Sequence, residues 1–144
     1  MKRLTFADLS DKKVYTVVIT DPNGEPWEVG LKALSQEEFL QITDSVPEPQ
    51  PPMAYVKGGR PVPLTDDPAY KKAVLDMNRE RTYRWVAASL DFDIPGATLA
   101  DKAKALRDGG PASWIMAQVV ERVQRVMGLT ETAITEREDS FQPA

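Results

Sequence analysis

Prolines between positions 46 and 67 constrain the fold more than any other feature of this sequence. Half of the chain's 12 prolines lie there, together with the pair Gly58 and Gly59. The six are Pro47, Pro49, Pro51, Pro52, Pro61 and Pro63. Because proline lacks an N–H group and fixes φ, such a stretch cannot form a helix or a central strand. We therefore expect an extended, mobile Pro-rich loop over residues 46–67.

Two interpretations of this loop remain open. Loops of this length are uncommon in compact domains and are usually functional or disordered. The segment is either a plain linker or a peptide-like arm that docks on a partner. In the second case Tyr55 and Val56 are the apolar anchors.

The residues before this loop predict a β-hairpin over 13–33 and a short helix over 35–45. The run KVYTVVIT is rich in β-branched residues, DPNG is a turn signal, and PWEVGLKA alternates apolar and polar side chains. Ser35 and Glu38 form a capping-box pattern that marks the start of the helix, and its apolar face includes Phe39 and Ile42.

Three helices are predicted after the loop, over residues 68–90, 98–108 and 111–127. Asp66 or Asp67 can cap the first, whose Pro68 suits the first turn. Thr98 and Asp101 indicate the start of the second, and Gly109–Gly110 ends it. Pro111 is expected to open the third, with Gly128 as its cap. A weak helix over Thr130 to Glu138 is also expected.

Apolar residues at helical spacing predict the faces that pack in the core. They are Tyr70, Ala73, Val74, Met77, Trp85 and Ala88 in the long helix, and Trp114, Ile115, Val119, Val123, Val126 and Met127 in the last. Arg81 interrupts the first of these stripes. Together these elements predict an α+β fold, mostly α, in which an N-terminal β-hairpin is followed by a small helical bundle with a Pro-rich loop. We expect one domain over residues 1–130 and a flexible C-terminal tail over 131–144.

Composition narrows the classes of function. The chain has no histidine and no cysteine, which removes the usual general base, the usual thiolate nucleophile and the common zinc ligands. The net charge is −4, and the cations are interspersed with acids, so no nucleic-acid binding is expected. No apolar run is long enough to cross a membrane, and the first residues do not resemble a signal peptide.

Candidate chemical sites all have structural explanations that we favour. Arg79, Arg81 and Arg84 are expected to form a solvated helix face rather than a phosphate site. Gly58, Gly59 and Arg60 do not lie between a strand and a helix, as a phosphate-binding loop requires.

The acidic residues are expected to have structural roles too. Asp91, Asp93 and Asp101 lack the spacing of a calcium loop, and Glu37 and Glu38 diverge on a helix. We predict no catalytic, cofactor-binding or metal-binding residue, and the sequence leaves the partner-binding residues unknown.

The order of these elements resembles the tail assembly chaperones of long-tailed bacteriophages. The resemblance covers roughly residues 13–130. It includes the end of the hairpin and the start of the first helix (Leu31 to Phe39) and the Pro-rich segment. It also includes the stretch RTYRWVAASLDFDIPG (Arg81 to Gly96) and the C-terminal helical segment from Asp101 to Leu129.

This resemblance implies a non-enzymatic protein of the bacterial host's cytoplasm. Such a chaperone coats the tape measure protein, keeps it soluble during tail tube assembly, helps to recruit tail tube protein and is absent from the finished virion. Met77, Met116 and Met127 are candidates for its adaptable surface, although core packing is favoured for each. Self-association through strand edges is also compatible with the sequence.

Other classes of function remain as alternatives. The chain could be a small structural tail or head-completion protein that stays in the virion. A regulator that binds nucleic acid would need a cationic helix face. An enzyme without histidine or cysteine is the least favoured class.

Overall fold

The chain forms an antiparallel β-hairpin followed by helices, and its fold is α+β and mostly α. A computed structural model describes residues 1–5 and 14–127. In chain order the elements are β1 (Val14–Thr20), β2 (Pro26–Lys32), α1 (Gln36–Asp44), β3 (Met53–Ala54), β4 (Val62–Pro63), α2 (Pro68–Ser89), α3 (Leu99–Asp108) and α4 (Ser113–Val126). The β1–β2 hairpin and the four helices therefore agree with the architecture predicted from the sequence.

The turn between β1 and β2 is organised by Asp21. Its carboxylate accepts hydrogen bonds from the N–H groups of Asn23 and Glu25, both at 2.9 Å, and from the indole N–H of Trp27 at 3.1 Å. The bond from Trp27, followed by the two main-chain bonds, lowers the pKa of this exposed carboxyl group. Gly24 alone in the turn takes a positive φ, at 82°. The DPNG turn signal is thus confirmed.

Three helices begin at the side-chain caps that the sequence indicates. The Ser35 hydroxyl, the Asp67 carboxylate and the Thr98 hydroxyl accept hydrogen bonds from main-chain N–H groups three residues ahead. These bonds satisfy donors that the first turn of a helix otherwise leaves unpaired. Asp67, rather than Asp66, is therefore the cap of α2, and the predicted start of each of these helices lies within one residue of the observed one.

The last helix begins later than predicted. Pro111 does not open it, because Gly110 has a φ of 59° and Ala112 is extended, with ψ at 142°. The Ala112 carbonyl instead accepts the first helical bonds, from the N–H groups of Ile115 and Met116. The predicted cap at Gly128, the weak helix from Thr130 and the tail over 131–144 lie outside the described residues.

The buried core joins the hairpin to α2 and α4, and partly buried side chains of α3 pack against it. Its buried members are Ile19, Leu31, Val86, Ala87, Leu90, Ile94, Val119 and Val123. Leu31 is completely buried and pairs with Leu90 as an isolated antiparallel bridge. The N–H of Asp91 also donates to the Gly30 carbonyl at 2.9 Å. The end of α2 therefore attaches to the outer edge of β2.

Helix α4 covers the opposite edge of the hairpin. The Gln118 amide bonds to both main-chain groups of Thr20: it accepts from the N–H at 2.8 Å and donates to the carbonyl at 2.7 Å. The Arg122 guanidinium donates to the Val18 carbonyl at 3.4 Å. These contacts occupy main-chain groups of β1 that face away from β2.

Helix α1 is held against α2 by stacking and by two arginines. The rings of Phe39 and Trp85 stack with centroids 4.7 Å apart. Arg81 donates to the Val46 carbonyl at 2.9 Å, and Arg84 donates to the Ser45 hydroxyl, also at 2.9 Å. The arginine that interrupts the predicted apolar stripe therefore binds the main chain just after α1.

No helix in the described ranges combines the length and apolar character that crossing a membrane requires.

Candidate partner-binding surface

The Pro-rich segment contains a second, smaller hairpin, which we call the arm (residues 53–64). Met53 pairs with Pro63 and Ala54 with Val62 in an antiparallel sheet of two strands, β3 and β4. The N–H of Leu64 donates to the Pro52 carbonyl at 2.8 Å, which extends the pairing by one residue. The sequence predicts an extended loop without a helix or a central strand here and gives no indication of this pairing, and the mobility of the segment stays a prediction.

The prolines permit this hairpin because of where they fall in it. Leu64 bonds inward to Pro52, so the adjacent pair, Met53 and Pro63, directs its main-chain groups outward. The missing N–H of Pro63 therefore costs the hairpin no bond. At the tip, Gly58 has a φ of 79° and the N–H of Gly59 donates to the Val56 carbonyl at 2.9 Å. This glycine turn reverses the chain.

The arm exposes five large apolar side chains, which the β3–β4 pairing distributes over its two faces. They are Met53, Tyr55, Val56, Val62 and Leu64. Tyr55 is 81% exposed and Val56 is 62% exposed. Among the helices and strands of the described chain, β3 and β4 contact each other and no other element. Because an isolated two-stranded hairpin is marginally stable in water and its apolar side chains are exposed, the arm is a candidate partner-binding surface.

The charge of the arm differs from that of the whole chain. Lys57 and Arg60 lie in the tip, and no acidic residue occurs between positions 49 and 65. The chain as a whole carries a net charge of −4. The arm is therefore a basic, apolar projection on an acidic protein.

Sequence reasoning identified part of this surface. Tyr55 and Val56, the anchors expected for a docking arm, are both exposed on it. Met53, Val62 and Leu64 were missed because their grouping depends on the β3–β4 pairing. The alternation of prolines with apolar residues from Pro61 to Leu64 is the signal that could have indicated an edge strand.

The arginine cluster of α2 is largely used within the fold. Arg81 binds the Val46 carbonyl, and Arg84 lies 3.0 Å from Glu80 as well as bonding to Ser45. Glu80 also accepts from Arg107 of α3 at 2.6 Å. Only Arg79 of the three cluster members is an exposed side chain. The cluster thus joins helices, so the expectation of a solvated helix face is wrong for Arg81 and Arg84 and holds only for Arg79.

Four of the other sequence candidates also have structural roles. Glu38 belongs to the Ser35 cap, Asp67 caps α2, and Gly58 and Gly59 form the turn of the arm. Within residues 1–5 and 14–127, no group of three or more acidic side chains is arranged to hold a metal ion.

The three methionines considered as adaptable surface are half-buried. Met116 and Met127 pack against the hydrophobic core, in agreement with the favoured interpretation. Met77 is half-buried on the first half of α2, where no residue before Thr82 is fully buried. None of the three contributes a fully exposed apolar surface.

Another exposed aromatic residue lies after α2. Phe92 is 60% exposed and lines two shallow clefts of about 210 Å³ and 270 Å³. The smaller cleft is lined in part by two lysines and two aspartates: Lys32, Lys102, Asp91 and Asp93. The larger is mainly apolar, with Ile94, Pro95 and Leu106 in its lining. Neither cleft joins the arm.

Comparisons with known proteins identify no relative. No family model matches the chain, and neither a characterised protein nor a solved structure gives a match.

Proposed function

We propose that this chain is a tail assembly chaperone of long-tailed bacteriophages. It binds the tape measure protein in the cytoplasm of the bacterial host, keeps it soluble while the tail tube forms, and is not retained in the mature virion. Tail tube protein is a further partner. The role is one of binding and needs no catalytic residue.

The exposed apolar arm is the observation that carries this proposal. A chaperone for a long client with apolar helices needs an apolar surface that water reaches until the client arrives. The arm has this property, because Tyr55 and Val56 are exposed and β3 and β4 pack on no other element of the described chain. The sequence resemblance over roughly residues 13–130 supplies the identity of the client.

The size of the arm favours weak and reversible binding. Burying five side chains of this kind provides at most about 7–15 kcal/mol. Association and the ordering of side chains cost about 4–15 kcal/mol. The difference is small, which suits a protein that must release its client during assembly. The net charge of −4 keeps the unbound protein soluble.

Co-expression with the tape measure protein tests the proposal. The tagged chain is expressed with the large, coiled-coil-rich protein encoded beside it, and the soluble fraction and co-purification of that client are measured. We expect soluble client in a complex with the wild-type chain. An insoluble client with no complex contradicts the chaperone role.

Two matched variants locate the binding surface in the same assay. Tyr55→Ser combined with Val56→Ser removes the two most exposed apolar side chains of the arm. Leu40→Ser removes an apolar side chain that is 49% exposed on α1 and serves as the control. We expect the arm variant to lose the client and the control to keep it.

Examination of purified particles distinguishes the chaperone role from the alternative of a structural virion protein. Mass spectrometry of mature virions should not detect the chain if it is an assembly chaperone. Its presence at a fixed copy number would instead support a small structural tail or head-completion protein.

A further inference from the structure

We propose that the arm binds its partner by strand addition, in which an extended, acidic segment of the partner pairs with the outer edge of β3. This inference concerns the mode of binding at the arm. It stands whether or not the partner is a tape measure protein, because it depends on the two edges of the arm and on its charge.

The two outer edges of the arm differ in their hydrogen-bond donors. Since residues 53 and 63 direct their main-chain groups outward, the edge of β4 lacks a donor at Pro63 and, two residues earlier, at Pro61. The edge of β3 keeps the N–H of Met53 and, two residues later, that of Tyr55. A third strand can therefore pair on the β3 side, whereas the prolines block the β4 side.

The sheet itself is incomplete without a third strand. β3 and β4 form a two-stranded sheet, with two residues in each strand. Hairpins of this size need a further strand or a packing partner for stability in water. An added strand supplies main-chain hydrogen bonds and packs beside the side chains of Met53 and Tyr55, which are two residues apart and so lie on the same face.

The charge of the arm selects the chemistry of the added strand. Lys57 and Arg60 follow β3 in the tip of the arm, and no acidic residue occurs between positions 49 and 65. A partner segment that alternates apolar and acidic side chains complements both the apolar residues and the two cations. A basic segment would meet like charges at the tip.

Synthetic peptides test the inference directly on the full chain. A labelled peptide of alternating valine and glutamate is titrated with the protein, and fluorescence anisotropy is compared with that of a matched valine–lysine peptide. Hydrogen exchange at the Met53 amide is measured with and without peptide. We expect the acidic peptide to bind several-fold more tightly than the basic one and to slow exchange at Met53.

Two substitutions at one position isolate the main-chain donor. Met53→Pro removes the outward N–H but none of the bonds within the arm, whereas Met53→Leu keeps the N–H and an apolar side chain of similar size. Circular dichroism checks that both variants keep the wild-type fold. We expect Met53→Pro to lose binding of the acidic peptide and Met53→Leu to retain it. Equal binding by the two variants would overturn strand addition.

Charge reversal completes the test. Lys57→Glu combined with Arg60→Glu should reverse the preference, so that the valine–lysine peptide binds more tightly. Failure of the wild-type chain to bind either peptide, or equal affinity for both, would refute the inference. Neither result would affect the co-expression assay, so this mode of binding and the proposed chaperone role can fail separately.

Discussion

Replacing Gln118 with alanine should destabilise the protein by about 1 kcal/mol. The side chain makes two short hydrogen bonds to the main chain of Thr20, at 2.8 Å and 2.7 Å. Each neutral hydrogen bond contributes about 0.5–1.5 kcal/mol net. Thr20 is exposed, so water replaces part of what is lost, and alanine's greater helix propensity returns a few tenths of a kcal/mol.

Urea unfolding followed by circular dichroism measures this loss. For a domain of this size, 1 kcal/mol lowers the melting temperature by about 3–5 °C. Gln41→Ala is the matched control, because Gln41 is an exposed helical glutamine whose amide donates to Glu37 of its own helix, at 3.4 Å. We expect the control to change stability by less than about 0.5 kcal/mol.

Replacing Gln118 together with Arg122 should also expose the outer edge of β1. With Gln118 and Arg122 both replaced by alanine, the outward main-chain groups of Val18 and Thr20 lose their side-chain partners. Open strand edges pair with one another, so we expect concentration-dependent dimers in size-exclusion chromatography with light scattering. Equal stability losses for Gln118→Ala and Gln41→Ala, together with a monomeric double variant, would refute this account of the α4–β1 contact.

Four further predictions follow from other parts of the fold. Gly96→Ala should lower the free energy of unfolding by at least about 2 kcal/mol, since φ is 143° and an added Cβ would lie 2.7 Å from the main-chain nitrogen of Lys102. Gly59→Ala is the control, because the nearest atom to its added Cβ would lie at 3.6 Å. Equal melting temperatures for the two variants would contradict the prediction. Gln124→Met should stabilise the protein by about 1 kcal/mol, because Gln124 is buried and neither amide atom has a hydrogen-bond partner in the described structure; a lower urea midpoint would contradict it. Deleting residues 50–61 should leave the circular dichroism spectrum of the helices intact, because β3 and β4 pack on no other described element, whereas aggregation would mean that the segment is structural. Because the pKa of Asp21 is lowered in the folded state, its ionised carboxylate should stabilise the protein above the ordinary pKa of the group. This stabilisation should be lost as the pH falls through the lowered pKa. In acid titration, the stability of Asp21→Asn should therefore lack this pH-dependent loss, which the wild type shows.

The helices could be predicted because their signals are local in sequence. Ser35, Asp67 and Thr98 each cap a helix through an N–H only three residues ahead, so residue type and spacing suffice to locate the start. The start of α4 was missed by two residues, because it depends on the backbone of Gly110 and Ala112 and on no side-chain cap.

Contacts between residues that are far apart in the sequence could not be predicted from sequence patterns. Arg81 bonds to a carbonyl 35 residues away, and Gln118 bonds to a strand 98 residues away. In the sequence, Arg81 is only an interruption of an apolar stripe, and Gln118 is an unremarked polar residue. Both have a role because the fold brings an unpaired main-chain group within reach of a long side chain.

The arm was predicted only in part, for a related reason. Prolines argue against strands when each is taken alone, but the penalty depends on the direction in which the missing N–H would point. That direction follows from the pairing of Met53 with Pro63, which no local pattern specifies. Tyr55 and Val56 could still be identified, because large apolar residues in a proline-rich segment have few ways to become buried.

The contrast between the two hairpins favours the arm over a plain linker. In the larger hairpin, Gln118 and Arg122 occupy the outer edge of β1, and the end of α2 bonds to the outer edge of β2. Within residues 53–64 the prolines lie on the β4 side only, and exposed apolar side chains lie on both strands. A linker needs neither paired strands nor clustered apolar residues, and each is a liability when left uncovered. The arrangement is therefore best explained by a partner that pairs with the open edge of β3.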